Sequence, residues 1–155
     1  MTTQVSVKAK LSSLELGAWR GFLRVHAAAV RELDLELQEA HGLPLKSYEV
    51  LVLLEPALGR RLRMSKLADS LLLSQSGITR LVDRLERGGL VRRERCESDA
   101  RGYYAALTGK GLARLQEARP THLAGVRRLF VEPLSTRELE GLASTWERIL
   151  PGATR

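Results

Sequence analysis

Short polar side chains and two arginines are concentrated within the eleven-residue segment SQSGITRLVDR near the middle of the chain. They are Ser74, Gln75, Ser76, Thr79, Arg80 and Arg84. Glutamine pairs with adenine, arginine with guanine or phosphate, and serine or threonine with several base edges. On an exposed helix face, such side chains predict contact with the major groove of DNA, and a helix N-terminus favours a phosphate.

A second polar group, CESDARG, lies between the runs LVRRER and YYAALT. These two short runs predict a β-hairpin with CESDARG at its tip. Arg101 is a cation that a narrow A·T-rich minor groove would attract. Asp99 has the wrong charge to bind phosphate. We expect it to orient an arginine of the hairpin by a charge-assisted hydrogen bond, to cap the turn, or to do both.

Cys96 is the only cysteine of the chain. Arg93 and Arg95 lie nearby in the sequence and would lower the pKa of its thiol, whereas Glu94 and Glu97 would oppose this effect. A redox-sensing role for Cys96 therefore stays open as an alternative, although a lone thiol at this position is also compatible with no special role.

The sequence contains no recognisable catalytic or metal-binding motif. The three histidines, His26, His41 and His122, are not spaced as metal ligands. We find no Walker loop, G-x-S-x-G or H-E-x-x-H segment. The sequence therefore predicts neither an enzyme nor a bound metal or cofactor.

Positive charge is concentrated in the middle of the chain. The 155 residues carry a net charge of +7, and the segment 60–101 holds eleven Lys/Arg against six Asp/Glu, which is +5 of that total. A localised basic field is typical of proteins that bind polyanions. No run approaches the ~20 apolar residues of a membrane helix, and the single cysteine favours a cytoplasmic protein.

Helical spacing and capping residues predict six helices around the hairpin. The first begins after Ser12 and runs to about Ala40, the last begins at Ser135, and Pro120 should kink or break the fifth. The other predicted starts are Leu45, the segment MSKLADSLL, Ser74 and Thr108. The long first helix has an apolar stripe that needs a partner, and a second copy of the chain is a natural candidate.

The segment LADSLLLSQSGITRLVDRLERGGLVRRERCESDARGYYAALTGKG resembles the winged helix-turn-helix core of MarR-family transcriptional regulators. The most specific part is Asp99-x-Arg101 followed by Leu107-Thr108-x-x-Gly111. The resemblance implies a homodimer that binds a palindromic operator, usually represses transcription, and is released by a small, often phenolic or aromatic ligand or by cysteine oxidation.

We therefore expect a mainly α fold with a small β-wing, in one MarR-like unit over residues 1–155. Residues 45–108 would form the winged helix-turn-helix DNA-binding lobe. Residues 12–42 and 109–150 would form an all-helical dimerisation lobe. The partners would be palindromic double-stranded DNA, a second copy and a small-molecule effector, with no membrane.

Family pockets lie between the two lobes, which suggests Trp19, Arg20, His26 and Tyr48 as ligand-binding residues. Tryptophan and tyrosine stack on aromatic ligands, and arginine pairs with a carboxylate. Ordinary packing is the competing interpretation of each. A further alternative is a winged-helix module that binds protein without specific DNA binding, but such a module would not need the basic face.

Overall fold

The computed structural model describes residues 10–154, and residues 1–9 and 155 lie outside the described part. The helices are α1 (Ser13–His41), α2 (Leu45–Leu54), α3 (Met64–Leu71), α4 (Gln75–Arg87), α5 (Gly109–Val126) and α6 (Thr136–Ile149). The strands are β1 (Arg61–Arg63), β2 (Val91–Cys96) and β3 (Asp99–Leu107). The predicted fold class, mainly α with a small β-wing, is confirmed.

Local capping chemistry fixes most helix ends where the sequence predicted them. Ser12 accepts a hydrogen bond from the Glu15 N–H, and the Glu15 carboxylate accepts one from the Ser12 N–H, which is a capping box. The same reciprocal pair begins α6. Ser74 and Thr108 cap α4 and α5. Gly42 ends α1 with φ of 60°, a left-handed conformation that glycine adopts without strain.

The sheet has three strands, whereas the sequence predicted a two-stranded hairpin. β1 pairs with β3, so that Arg61 lies opposite Ala106 and Arg63 opposite Tyr104, and the strand order is β1-β3-β2. β1 is only three residues long and two of them are arginine, so no alternating apolar pattern marks it. β1 forms because β3 offers an edge for pairing. Even the pair closest in sequence, Arg63 and Tyr104, is 41 residues apart.

Pro120 was expected to kink or break α5. The helix continues through it from Gly109 to Val126, so the break is wrong. Proline removes one backbone N–H and one helical hydrogen bond. The packing of α5 along α1 and α2 maintains the helix across this gap. The regular α-helix instead ends in a π-helical turn at Arg127–Val131, for which the residue types gave no signal.

The buried core lies between α2, α3, α4 and the sheet. It is closed by Leu37 from α1 and Leu115 from α5, both fully buried. Helix α6 contributes no buried residue. Because α1 and α5 share the core with residues 45–108, the division into two lobes at the predicted boundaries stays a prediction.

Gly111, in the first turn of α5, packs directly against Leu90 and Leu107. A Cβ at this position would lie 2.0 Å from the Leu90 carbonyl oxygen and 2.8 Å from Cδ1 of Leu107. Both separations are far below van der Waals contact, so only glycine fits without moving the backbone.

We expect Gly111→Ala to lower the free energy of unfolding by about 2–3 kcal/mol, because a backbone carbonyl cannot yield as a side chain can. Gly109→Ala is the matched control. Its Cβ would meet nothing within 4 Å, so helix propensity should make it neutral or stabilising by about 0.5–1 kcal/mol. Urea denaturation measures both, and equal free energies for the two variants would contradict the packing argument.

Candidate nucleic-acid interface

Helix α4 presents its polar stripe to solvent because its apolar stripe is buried. The buried residues are Ile78, Leu81, Val82 and Leu85. Of the eight residues predicted to contact DNA, six lie within residues 74–84, and all six are exposed: Ser74, Gln75, Ser76, Thr79, Arg80 and Arg84. The amphipathic helix thus holds them on one outward surface, as the sequence predicted.

Some of these polar groups are already used within the helix. Ser74 Oγ accepts from the Gly77 N–H as the N-cap and lies 3.1 Å from Ser76 Oγ. Thr79 donates its hydroxyl to the Gln75 carbonyl at 2.8 Å. Their first role is to fix the start of α4. What remains for a ligand is their unused lone pairs and one hydroxyl proton of the Ser74–Ser76 pair.

Four other polar side chains are free to contact a ligand. In residues 10–154, the side chains of Gln75, Arg80, Arg84 and Arg101 form no hydrogen bond or ion pair. Arg80 and Arg84 line a hollow of about 600 Å³ together with Arg87. On α4, the unpaired cations of Arg80 and Arg84 and the amide of Gln75 are suited to contact phosphate oxygens and base edges.

A groove of about 670 Å³ separates α4 from the wing. Gln75 and Thr79 line it on the helix side, and Asp99 and Arg101 line it on the wing side. The structure therefore brings these four predicted residues together. Ser74 and Ser76 do not line this groove, and Arg80 and Arg84 line the separate hollow.

Arg93 connects β2 to α4, whereas the sequence shows it only as a charge near Cys96. Its Nη1 lies 2.5 Å from Asp83 Oδ1 and 3.2 Å from Glu86 Oε2, and its Nη2 donates to the Thr79 carbonyl at 3.2 Å. Its backbone N–H also donates to Glu86. Asp83 and Glu86 are the only acidic residues of α4 and lie three apart on one face, a signal that could have indicated this contact.

Strand β1 supports the wing from its other edge. Arg61 donates to Glu94 at 2.8 Å, and this bond lowers the pKa of the Glu94 carboxyl, with a second contribution from Arg92. The guanidinium of Arg61 also lies 4.7 Å from the centre of the Tyr104 ring. Such cation–π contacts stabilise the packing of the short strand on its neighbour.

Asp99 caps the turn of the wing. Its Oδ1 accepts from the backbone N–H of Arg101 at 3.1 Å, which is the Asx interaction. Its Oδ2 lies 3.9 Å from Arg63 Nη1, an ion pair too long to be a hydrogen bond. The arginine beside Asp99 is therefore Arg63 of β1, and the side chain of Arg101 stays free.

The cation next to Cys96 is also Arg63, and not Arg93 or Arg95 as expected. Arg63 Nη2 lies 3.2 Å from the sulfur, and Ser98 Oγ lies 3.2 Å away on another side. The hydrogen bond with Ser98 lowers the pKa of the thiol, helped by Tyr104 and Arg63. The side chain is only 5% exposed, which limits the access of an oxidant.

The four predicted ligand-binding residues do not converge on one site. His26 lines an apolar cavity of about 780 Å³ between α1, α5 and α6, which Phe22 and Trp146 also line. Trp19 contacts Phe22 at a ring distance of 5.9 Å but does not line this cavity. Arg20 is exposed and lies outside the cavity lining.

Tyr48 lies elsewhere, in the core between α2 and α5. It is 3% exposed, and its ring packs 4.5 Å from the ring of His122. Burial raises the pKa of Tyr48 and lowers that of His122. This position favours a packing role for Tyr48, and its contact with an effector stays a prediction.

Comparison with known proteins agrees with this architecture. The family model described as "MarR family" matches residues 41–102. The HTH-type transcriptional regulator YkoM of Bacillus subtilis (strain 168) is 31% identical over 115 residues, which are 74% of this chain and 73% of YkoM. The chain belongs to the MarR family. The HTH-type transcriptional regulator MhqR of the same organism is also 31% identical, over 70% of this chain and 73% of MhqR.

Solved MarR-family structures match over nearly the whole chain. AbsC from Streptomyces coelicolor is 39% identical, covers 92% of this chain and 95% of its own, and superimposes with a TM-score of 0.85. Sco3205 from Streptomyces coelicolor, solved in complex with DNA, is 33% identical, covers 94% of both chains, and has the same TM-score. The similarity therefore includes the terminal helices as well as the MarR winged helix.

Within residues 10–154, no three His, Cys, Asp or Glu side chains are grouped so that they could hold a metal ion. No helix in that range has the length and apolar character needed to cross a membrane.

We expect Arg93→Gln to lower the free energy of unfolding by about 1–2 kcal/mol, because it removes several contacts of one guanidinium at once, although water partly replaces it at the exposed carboxylates of Asp83 and Glu86. Arg92→Gln removes the same charge from the neighbouring position. Arg92 is 63% exposed, and among residues 10–154 its side chain pairs with Glu94 alone, so its loss should cost less, at most about 0.5 kcal/mol. Urea denaturation compares the two, and equal destabilisation would show that Arg93 is an ordinary surface arginine.

Proposed function

We propose that this MarR-family protein is a sequence-specific DNA-binding transcriptional regulator, not an enzyme, and that it acts in the cytoplasm. Helix α4 would enter the major groove, with Gln75 and Arg80 directed to base edges and Arg84 to the phosphate backbone. The observation that carries the proposal is the set of unpaired donors on α4, next to a groove that ends at Arg101. The DNA complex of the related Sco3205 supports it.

Arg101 would reach the minor groove that flanks the recognition site. Its guanidinium has no partner among the described residues, and Asp99 holds its backbone at the tip of the wing. A narrow A·T-rich groove concentrates negative potential, so a fixed arginine there would favour such flanking sequences.

We expect Arg101→Ala to weaken binding to a duplex selected from a random DNA pool by about tenfold, because one groove cation is lost. Arg137→Ala, which removes the same charge from the exposed first turn of α6, should leave the affinity within about twofold. Fluorescence anisotropy at two salt concentrations gives both values and the salt dependence of binding.

The same experiment tests the function itself. If the wild-type protein enriches no sequence and binds all duplexes equally, the proposed specificity is wrong. If it binds no duplex at any salt concentration, the alternative of a winged-helix protein-interaction module replaces it. Equal losses of DNA affinity for Arg101→Ala and Arg137→Ala would show that Arg101 does not contact the DNA.

We propose that the regulator is a homodimer on a palindromic operator. Of the fourteen large apolar side chains that are exposed in the described part of the chain, nine lie in residues 12–42 and 109–150, including Leu14 at 83% and Ile149 at 68% exposure. Contiguous exposed apolar surface on a soluble helix indicates a partner. A second copy would also place two α4 helices in successive major grooves, ~34 Å apart.

Replacing both Leu14 and Ile149 with Glu should convert the dimer to a monomer, because two buried carboxylates would oppose association. Leu58→Glu is the control, since Leu58 is 96% exposed but lies outside the terminal helices. Sedimentation velocity measures the mass, and circular dichroism confirms folding. A monomeric wild type, or a folded double variant that stays dimeric, would rule out this interface.

We further propose that the protein is a repressor that a small ligand, phenolic or aromatic in character, releases from its operator. The support is the cavity between α1, α5 and α6, to which Phe22, His26 and Trp146 contribute aromatic rings. Offset contacts between aromatic rings stabilise a bound ring beyond the area that they bury.

A further inference from the structure

Helix α5 is joined to α1 and α2 by side chains that the proposed DNA contacts leave unused. Thr121 Oγ1 lies 2.8 Å from Nε2 of His41, the last residue of α1. The next residue of α5, His122, packs its ring 4.5 Å from the ring of Tyr48 on α2, and the two ring planes are inclined by 34°. Histidine changes its charge near neutral pH, so this junction contains groups that can respond to acid.

The ring of His122 is half-buried against α2 and has no hydrogen-bond partner. Neither of its nitrogens forms a hydrogen bond with any residue of 10–154. Both nitrogens stay in contact with solvent, because Glu49 Oε2 is the one fully buried side-chain polar atom without a partner in that range. Burial lowers the pKa of His122, since an imidazolium would lose hydration in this contact. The packed ring is therefore neutral at neutral pH, and a proton from solvent can reach it while the chain stays folded.

Glu49 of α2 is the charged group that acts on His122. Burial is the larger effect on the pKa of His122, and the carboxylate of Glu49 opposes it by raising that pKa. Glu49 Oε2 forms an ion pair of 2.8 Å with Lys46 of the same helix. That pairing lacks the geometry of a hydrogen bond, so Oε2 is buried without a donor in the described part of the chain. His122 thus lies between a ring contact that disfavours its charge and a carboxylate that favours it.

The other charged groups at this junction have partners of their own. On α5, Arg119 pairs with Glu55 of α2. On α1, the ring of His41 is hydrogen-bonded to α5. Among the described residues, Glu49 is the one whose charge shifts the pKa of His122. The response of this junction to acid is therefore set by the Tyr48 contact and by Glu49.

We propose that the contact between His122 and Tyr48 is a pH-sensitive link between α5 and α2. The neutral ring packs on Tyr48 and holds the two helices together. After protonation, the imidazolium is more stable in water than in this contact, so acid shifts the molecule toward a state in which the ring has left Tyr48. Glu49 limits this release, because its carboxylate offsets part of the cost of the charge.

The link bears on DNA binding, and this second step rests on the proposed function. Helix α2 packs on α3 and α4, so a displacement of α2 against α5 also displaces the proposed recognition helix. Two recognition helices fit successive major grooves only at a fixed separation. Loosening of the contact at low pH therefore weakens DNA binding.

The pH dependence of folding tests the link without DNA. A histidine whose pKa is lowered in the folded chain binds its proton more readily after unfolding. The stability that neutral His122 contributes is fully present above the ordinary value of about 6.5 and is lost as pH falls toward the folded pKa. His122→Phe keeps an aromatic ring against Tyr48 and takes no proton. Urea denaturation should show a larger loss of stability on acidification for the wild type than for His122→Phe. If the two free energies differ by the same amount at every pH, His122 is an ordinary packing residue and the proposal is wrong.

Proton NMR of the imidazole Cε1–H signals locates the titration in the full chain. The signal that is absent from His122→Phe belongs to His122. We expect it to titrate below about pH 6.5 in the wild type and at still lower pH in Glu49→Gln, because the opposing carboxylate is removed. His26→Gln is the control, since His26 packs beside Phe22 on α1 and its loss should leave the His122 titration unchanged. A His122 signal that titrates at or above about pH 6.5, or that does not respond to Glu49→Gln, would overturn the assignment.

Fluorescence anisotropy with the selected duplex gives the effect on DNA. Between about pH 7.5 and about pH 5.5, the wild type should lose at least about fivefold more affinity than His122→Phe, and His26→Gln should behave as the wild type. Comparison of the variants removes the contributions of the DNA and of the other histidines. If the wild type selects no duplex, the proposed function fails while the urea and NMR results still decide the link. If His122 titrates as expected but the wild type and His122→Phe lose equal affinity, the coupling to DNA is wrong.

Discussion

The contact between Arg93 and helix α4 fixes the geometry on which the whole interface depends. A helix in one groove and a wing in the next can bind together only if their separation is held constant. Arg93 provides this link, because one guanidinium on β2 contacts Asp83, Glu86 and the Thr79 carbonyl over two turns of α4. These contacts are directional, so they restrict sliding of the strand along the helix, which apolar packing alone permits more easily.

The opposite edge of the wing is held by different chemistry. Arg63 of β1 lies against the Tyr104 ring and contacts both Cys96 and Asp99. Two residues that looked functional in the sequence, the lone cysteine and the aspartate of the hairpin tip, therefore have partners inside the wing. Their polar atoms are used in shaping it. Arg101 differs from them because only its backbone is held, which leaves its charge available to a polyanion.

Features that depend on neighbours in sequence could be predicted, and features that depend on distant neighbours could not. Ser12 and Ser74 cap helices through residues three positions away, so their roles follow from local spacing. β1 has no pattern of its own and exists through its pairing with β3. Pro120 should have broken α5 by local rules, but contacts with α1 and α2 override them. The partners of Arg93 lie 7 to 14 residues away and require the fold to bring them together.

The exposed surface of helix α4 differs between its two ends, in addition to the difference between its buried and exposed faces. Its N-terminal turns carry free donors beside the wing groove, whereas its C-terminal turns form one wall of a cleft of about 520 Å³ that residues of α1, α2 and α5 also line. Arg84 lies on the boundary and contributes to surfaces on both sides. A rigid helix whose apolar stripe is fully packed cannot satisfy ligands on both surfaces by bending. A contact that Arg84 makes on one surface is therefore lost to the other, and this exchange requires no rearrangement of the core.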